Sequence, residues 1–243
     1  MESSSQIIVR SPEMGRVLVI MAKAPKPGMV KTRLAQSIPP PAVTALYRCL
    51  LDDTMALAQS LGTVEVAIMC PASDVDDLAR LAGDAVRVVA QTGDGLAAGL
   101  TSVFAHFAAS SHHRVIAFNS DSPHLPASML ESAFEALATY DVVVGPTHDG
   151  GYYLVGAKAT HPGLFNGDGM GKSNALETLL ERVRALGLSV RLADPSYDID
   201  VASDLIRLDA ELRLAPARAP RTAAWLTEWE QVVAQLRPGI GDL

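Results

Sequence analysis

A three-layer α/β/α domain on a mostly parallel sheet is the fold this sequence predicts, and three observations carry it. Short β-branched apolar runs alternate with helix-spaced apolar patterns along the 243 residues. The runs stop at turn-forming residues, as buried strands do. With 49% of residues apolar, the chain can bury the core of one large α/β domain. No internal repeat and no second stretch with a core of its own is evident.

The predicted strands are 17–22, 64–69, 86–90, 114–118, 141–145, 152–157 and 188–192. A helix from Pro41 to Leu61 separates the first two, with Val43, Leu46, Leu50, Leu57 and Leu61 on one face. Asp74 is a suitable cap for a short helix over 74–82. A helix over 96–109 turns Leu96, Leu100, Val103 and Phe107 inward, and Pro126 opens one carrying Leu130, Phe134 and Leu137. Ser173 is placed to cap a helix carrying Leu176, Leu179, Leu180, Val183 and Leu186, and another starts near Val201. Helices between strands imply parallel pairing, with ligands beyond the carboxyl ends of the strands. The exception is the pair 141–145 and 152–157, joined only by Pro146–Gly151, where an antiparallel step is expected. The domain is assigned to 15–212, after a loosely ordered tail at 1–14 and before a connector and amphipathic helix at 213–243. On that helix Trp225, Trp229, Val232, Val233 and Leu236 form a face that packs on the domain or supports a homodimer.

A net charge of −7 argues against binding to a nucleic-acid backbone, while leaving room for one nucleotide. No apolar run approaches the roughly 18–20 residues of a membrane span. No leader pattern is evident, and Cys49 and Cys70 lack metal-like spacing. They read as reduced core thiols, and the expected location is the cytoplasm.

Three segments carry candidate chemistry. The first strand ends in Ala22-Lys-Ala-Pro-Lys-Pro-Gly28 and runs on through Lys31 and Arg33. Pro and Gly stiffen this loop, so Lys23, Lys26, Lys31 and Arg33 can be held where phosphates would lie. The fourth strand runs into Asn119-Ser-Asp121-Ser-Pro123, a site for a carboxylate ligand to a hard cation. The last strand is followed by Asp198-Ile-Asp200. In extended backbone these two aspartates point to opposite sides, one to the cleft and one to cap the next helix. Asp121 with Asp200 suits Mg²⁺ (or Mn²⁺), which takes one or two protein carboxylates and fills its shell with phosphate oxygen and water.

Asp149-Gly150-Gly151-Tyr152 can border a ligand closely, or simply turn a hairpin. Gly93-Asp94-Gly95 lies between a strand and a helix, and can lie against a nucleotide base. It does not make a dinucleotide fingerprint, since it follows the third strand with no acidic residue about 20 positions on. Gly167–Ser173 is not a phosphate-binding Walker loop, because Asn166 stands where that pattern needs glycine. His124 and His148 fall near the cleft and are candidate substrate contacts.

Taken together, Ala22–Leu34, Ser120–Pro123, Gly145–Gly156 and Asp198–Leu205 resemble, in order, the motifs of a bacterial glycosyltransferase-A-like family of unassigned function. That family is related to 2-phospho-L-lactate guanylyltransferase. The resemblance implies the nucleotide-diphospho-sugar transferase (GT-A) fold, with a Rossmann-like half for the nucleotide. It implies that Lys31 and Arg33 grip a triphosphate with help from Lys23, that Asp121 and Asp200 hold Mg²⁺, and that Asp149, Gly150 and Gly151 border an acceptor. The chain departs from relatives at Ala97-Ala98-Gly99, where they carry an acidic–basic pair, and at Met170-Gly171, where they often carry tryptophan.

The expected function is a Mg²⁺-dependent nucleotidyltransferase. It would join a nucleoside monophosphate from a nucleoside triphosphate to a small phosphorylated or acidic acceptor, releasing pyrophosphate. Catalysis is expected from Lys31, Arg33 and Asp121. Nucleotide binding is expected from Ala22, Lys23, Gly28, Lys31, Arg33 and Gly93–Gly95, and acceptor binding from Asp149–Tyr152. The alternatives are a glycosyltransferase using a nucleotide sugar and a nucleotide-binding protein without turnover.

Overall fold

The computed structural model describes residues 15–108, 113–166 and 174–236. The expectations for the tail at 1–14, for Gly167–Ser173 with Ser173 as a cap, and for Met170-Gly171 fall outside these residues. Within them lie strands β1 (Arg16–Met21), β2 (Glu65–Cys70), β3 (Arg87–Ala90), β4 (Arg114–Asn119), β5 (Val142–Pro146), β6 (Tyr152–Ala157) and β7 (Val190–Leu192). The helices are α1 (Pro40–Ser60), α2 (Val75–Ala82), α3 (Gly95–Phe107), α4 (Ala127–Thr139), α5 (Ala175–Ala185), α6 (Ala202–Leu214), α7 (Pro220–Glu228) and α8 (Glu230–Gln235).

All seven strands form one sheet in the order β3-β2-β1-β4-β6-β5-β7. Every pairing is parallel except those of β6, which runs antiparallel between β4 and β5. The five residues between β5 and β6 are too few to cross the sheet, so the chain folds straight back and β6 enters in reverse. The order runs outward from β1 to β3, then resumes on the other side at β4. β1 and β4 therefore flank the point where connections diverge, and their carboxyl ends open a crevice.

Both faces of the sheet are covered, which is why its strands are continuous apolar runs. Leu18, Ile20, Ile68 and Phe118 pack beneath α1, α2 and α4, while Val17, Val19, Ala67 and Val115 pack beneath α3 and α5. A further apolar cluster lies on the outer side of α1. There Val43, Leu46 and Leu50 meet Leu205 and Leu208 of α6, Trp225 and Leu226 of α7 and Val233 of α8. The carboxylate of Asp53 on α1, fully buried, accepts hydrogen bonds from Thr222 N (2.8 Å), Thr222 Oγ1 (2.8 Å) and Arg221 N (3.3 Å). It thereby satisfies the open amides at the start of α7.

Several local expectations change. The predicted last helix is two short helices, broken at Trp229. Leu96 is 40% exposed, because the first turn of α3 borders an open cleft. Asp74 stands at the N-cap of α2 with no side-chain bond to that helix; its carboxylate is directed elsewhere. Cys49 is half-buried, Cys70 buried, and both are free thiols. Among the described residues no helix is long and apolar enough to cross a membrane.

Candidate active site

The basic loop leaves β1 at the crevice and is tied down over its first half. Ala22 N bonds Met69 O (3.1 Å), Lys23 N bonds the Tyr47 hydroxyl (3.2 Å), and Ala24 N bonds Asp74 Oδ2 (2.9 Å). Lys26 points away from the crevice, to Asp74 (2.8 Å) and Asp77 (3.0 Å). Burial opposes ionisation of Asp74, and the Lys26 ammonium and Ala24 N–H more than offset it, so its carboxyl is held below the ordinary range. The loop then turns at Gly28, whose φ of 74° suits glycine.

Lys31 follows with a φ of 49°, and no other non-glycine residue among those described has a positive φ. This left-handed backbone directs its side chain inward, where it is 8% exposed. Its ammonium contacts Asp121 Oδ2 and lies 2.8 Å from Asp200 Oδ1. Arg33, 68% exposed, stands 3.7 Å from Asp200 Oδ2.

Asp121 comes from the end of β4 and Asp200 from the segment between β7 and α6. Asp198 joins them: one carboxylate oxygen from each of the three lies within 4.8 Å of the others. The expected opposite facing of Asp198 and Asp200 does not hold, and neither caps α6. That cap is Asp204, whose Oδ2 accepts from Val201 N (2.9 Å) and Asp200 N (3.0 Å), leaving both earlier carboxylates for the crevice. Burial and the neighbouring Asp200 charge push the Asp198 carboxyl up. For Asp200 burial acts in the same direction, but Lys31 and Arg33 outweigh it and hold the group below its ordinary value. All three carboxylates offer oxygen at short mutual distance, the donor chemistry of a hard divalent cation.

A fixed framework holds the two aspartate segments together. Ser122 Oγ donates to Tyr197 O (3.2 Å), and the His124 ring lies on the Tyr197 ring at 4.3 Å. Arg207 lies over the Tyr197 ring at 3.8 Å. On the other side Ser196 N bonds Pro146 O (3.0 Å). His124 is thus a buried packing residue, 4% exposed, rather than a substrate contact. The Tyr47 hydroxyl, raised in pKa by burial, links the basic loop to Ser120 Oγ at 3.0 Å.

A cleft of about 690 Å³ runs across the carboxyl ends of β1, β2 and β3. Ala22, Lys23, Lys31, Arg33, Asp121 and Asp200 line one end, and Gln91, Asp94, Gly95 and Leu96 the other. Gln91 holds that far end in shape, its Nε2 donating to Gly93 O (2.8 Å) and Gly95 O (3.3 Å). A second cleft of about 220 Å³ is lined by Tyr152, Asn119 and Asp198 and shares Met21, Leu96, Ser120 and Asp121 with the first. Asp121 therefore stands where the two clefts meet.

The structure brings most of the sequence-predicted site residues to these clefts. Besides Lys26 and His124, the exceptions are Gly28 and Gly93, which shape the loops, and His148, Asp149, Gly150 and Gly151, which line neither cleft. Asp149 Oδ1 accepts from Thr147 Oγ1 (2.5 Å) and Gly151 N (3.1 Å) and so closes the β5–β6 turn. Asp198 as a member of the cluster, Tyr47 and Asp74 were not assigned to the site from sequence. The only signal for Asp198 was its place beside Asp200. Tyr47 sits in the apolar stripe of α1 and reads there as core.

Comparison with known proteins agrees with this architecture. Residues 54–172 match the model of a family described as an uncharacterized protein conserved in bacteria (DUF2064). A crystal structure from Desulfovibrio desulfuricans G20, provisionally named a nucleotide-diphospho-sugar transferase, is 26% identical with a TM-score of 0.85, covering 91% of this chain and 97% of that one. A nucleotidyl transferase from Methanothermobacter thermautotrophicus (Mth528) is 20% identical with a TM-score of 0.55, covering 83% and 99%. Rv0371c of Mycobacterium tuberculosis H37Rv, in a complex with manganese, is 19% identical with a TM-score of 0.50, covering 80% and 97%. The comparison with curated protein sequences gave no match. The motif resemblance thus holds, and the chain has the nucleotide-diphospho-sugar transferase fold, with these last two likenesses being of fold alone.

Proposed function

We propose that this protein is a divalent-metal-dependent nucleotidyltransferase that moves a nucleoside monophosphate from a nucleoside triphosphate to a small phosphorylated or acidic acceptor, with release of pyrophosphate. The observation that carries the reading is the charge arrangement of one cleft. Lys23, Lys31 and Arg33 stand with Asp121 and Asp200 at one end, and Asp198 completes the carboxylate cluster.

The residues fit a divalent cation by donor type and spacing, and the Lys31 ammonium already lies among them as a stand-in cation. Held by Asp121, Asp198 and Asp200, such an ion would neutralise charge on the reacting phosphate. Arg33, exposed and fork-shaped, binds a phosphate through two donors. Lys31 and Lys23 add charge where it grows as pyrophosphate departs. With phosphates at this end, the nucleoside lies toward Asp94, Gly95 and Leu96. The acceptor enters by the second cleft, past Tyr152, and meets the α-phosphorus beside Asp121 from the side opposite the leaving group. An anionic acceptor oxygen needs no general base.

A glycosyltransferase using a nucleotide sugar is the competing reading. Its usual Asp-x-Asp signature is Asn119-Ser-Asp121 here, so a neutral amide, its Nδ2 donating to Ser122 Oγ at 2.9 Å, stands where that signature has its first carboxylate. Thermal stabilisation by a panel of nucleoside triphosphates and nucleotide sugars, with and without Mg²⁺ or Mn²⁺, tests the assignment. Stabilisation by a triphosphate, lost in Asp121→Ala, supports it, together with pyrophosphate release when acceptors are added. Stabilisation by nucleotide sugars alone would sink it. Tight triphosphate binding without pyrophosphate release across broad acceptors would favour a protein that binds without turnover.

A further inference from the structure

Lys31 is held by two independent features. Its backbone is left-handed, a conformation that side-chain-bearing residues rarely adopt. Its buried ammonium is shared between Asp121 and Asp200, with Asp198 alongside. A lysine that served only to grip phosphate would have no need of this geometry, since the phosphates lie in the open cleft. From the contact between its ammonium and the carboxylate oxygens, we infer that Lys31 is the site's resident counter-ion, which a divalent metal must displace before it binds. This rests on the proposed metal-dependent nucleotidyl transfer and adds an order of events to it.

The two cations exclude one another. An ammonium hydrogen-bonded to a carboxylate lies about 2.8 Å from its oxygen and a Mg²⁺ about 2.1 Å. Both on the same oxygens would set like charges almost in contact in a poorly hydrated pocket. The nucleotide-free protein therefore binds metal weakly. A triphosphate changes the balance, because its oxygens give the released ammonium a new partner and the metal its missing ligands. Metal and triphosphate accordingly enter together, each strengthening the other.

The test is titration of the nucleotide-free protein with Mn²⁺, followed by the loss of the free-ion EPR signal. Wild type is compared with Lys31→Met, which keeps the stem and removes the charge. Lys31→Gly relieves the left-handed backbone and serves should the Met variant not fold. Removal of the ammonium is expected to tighten Mn²⁺ binding at least tenfold, and Asp121→Asn in the same background to abolish the gain. Affinity unchanged or weakened in the Lys31 variants would overturn the counter-ion role. If no form binds Mn²⁺, and triphosphate stabilises wild type equally with and without metal, the metal-dependent reading itself fails along with it.

Discussion

Lys26 and Asp74 form an ion pair at 2.8 Å on the outer side of the basic loop, while the other Asp74 oxygen receives the buried Ala24 N–H at 2.9 Å. This one carboxylate fixes both where the loop leaves the sheet and which of its cations stays out of the cleft. Asp74→Ala leaves the Ala24 amide unsatisfied and is expected to cost about 1–3 kcal/mol in urea unfolding. Triphosphate affinity should fall too, though Asp74 touches no ligand. Lys26→Ala should move neither the urea midpoint nor triphosphate affinity appreciably.

Lys31→Ala and Arg33→Ala are each expected to weaken triphosphate binding by more than about 1 kcal/mol, as loss of a charge-assisted contact does. Isothermal titration in the presence of Mg²⁺ reads this directly. Unchanged affinity in both would mean that the loop does not hold the triphosphate.

Asp198→Asn tests the third carboxylate. Mn²⁺ bound alongside a triphosphate should weaken more than tenfold, comparably to Asp200→Asn. A change confined to Asp200→Asn would return the site to two ligands.

His124 gives the fold a pH dependence. Burial pushes its pKa down to about 4, from an ordinary 6.5, with Glu211 opposing and Arg207 and Arg218 adding to the shift. Neither ring nitrogen has a hydrogen-bond partner among the described residues. The unfolded chain therefore binds the proton first as pH falls. This contribution to stability is complete above pH 6.5 and is lost progressively down to about pH 4, amounting to about 3 kcal/mol at most. His124→Phe, which can keep the stack on Tyr197, should flatten the fall in urea stability between those limits.

The sheet was legible because each parallel strand is a short apolar run with a helix behind it, and the short Pro146–Gly151 link exposed its one reversal. The site was legible where Asp121 and the loop cations follow directly on strand ends. Asp198 was misread because alternation assumes extended backbone, and the segment from Ser196 to Asp200 is pinned by Tyr197 and Asp204 instead. Leu96 was misread because periodicity gives a helix face, not which turn of that face borders a cleft. The turn-closing role of Asp149 was not separable in sequence from a ligand role, since glycine beside aspartate serves a ligand and a tight turn equally well. Asp74 looked like a cap because sequence shows which residue precedes a helix, not which distant amide claims its carboxylate.

The double burial of α1 also bears on how the molecule is made. Its inner face meets the sheet, but Val43, Leu46 and Leu50 wait for partners from residues 205–233. Lys31 likewise meets Asp200 only across 169 positions of chain. During synthesis, strands β1 to β4 can assemble while a greasy flank of α1 is still uncovered. A chain paused on the ribosome before α6 presents that flank to its neighbours and to chaperones. Apolar coverage and a complete carboxylate cluster arrive in the same late stretch of translation, so the protein is sticky for as long as it is inert.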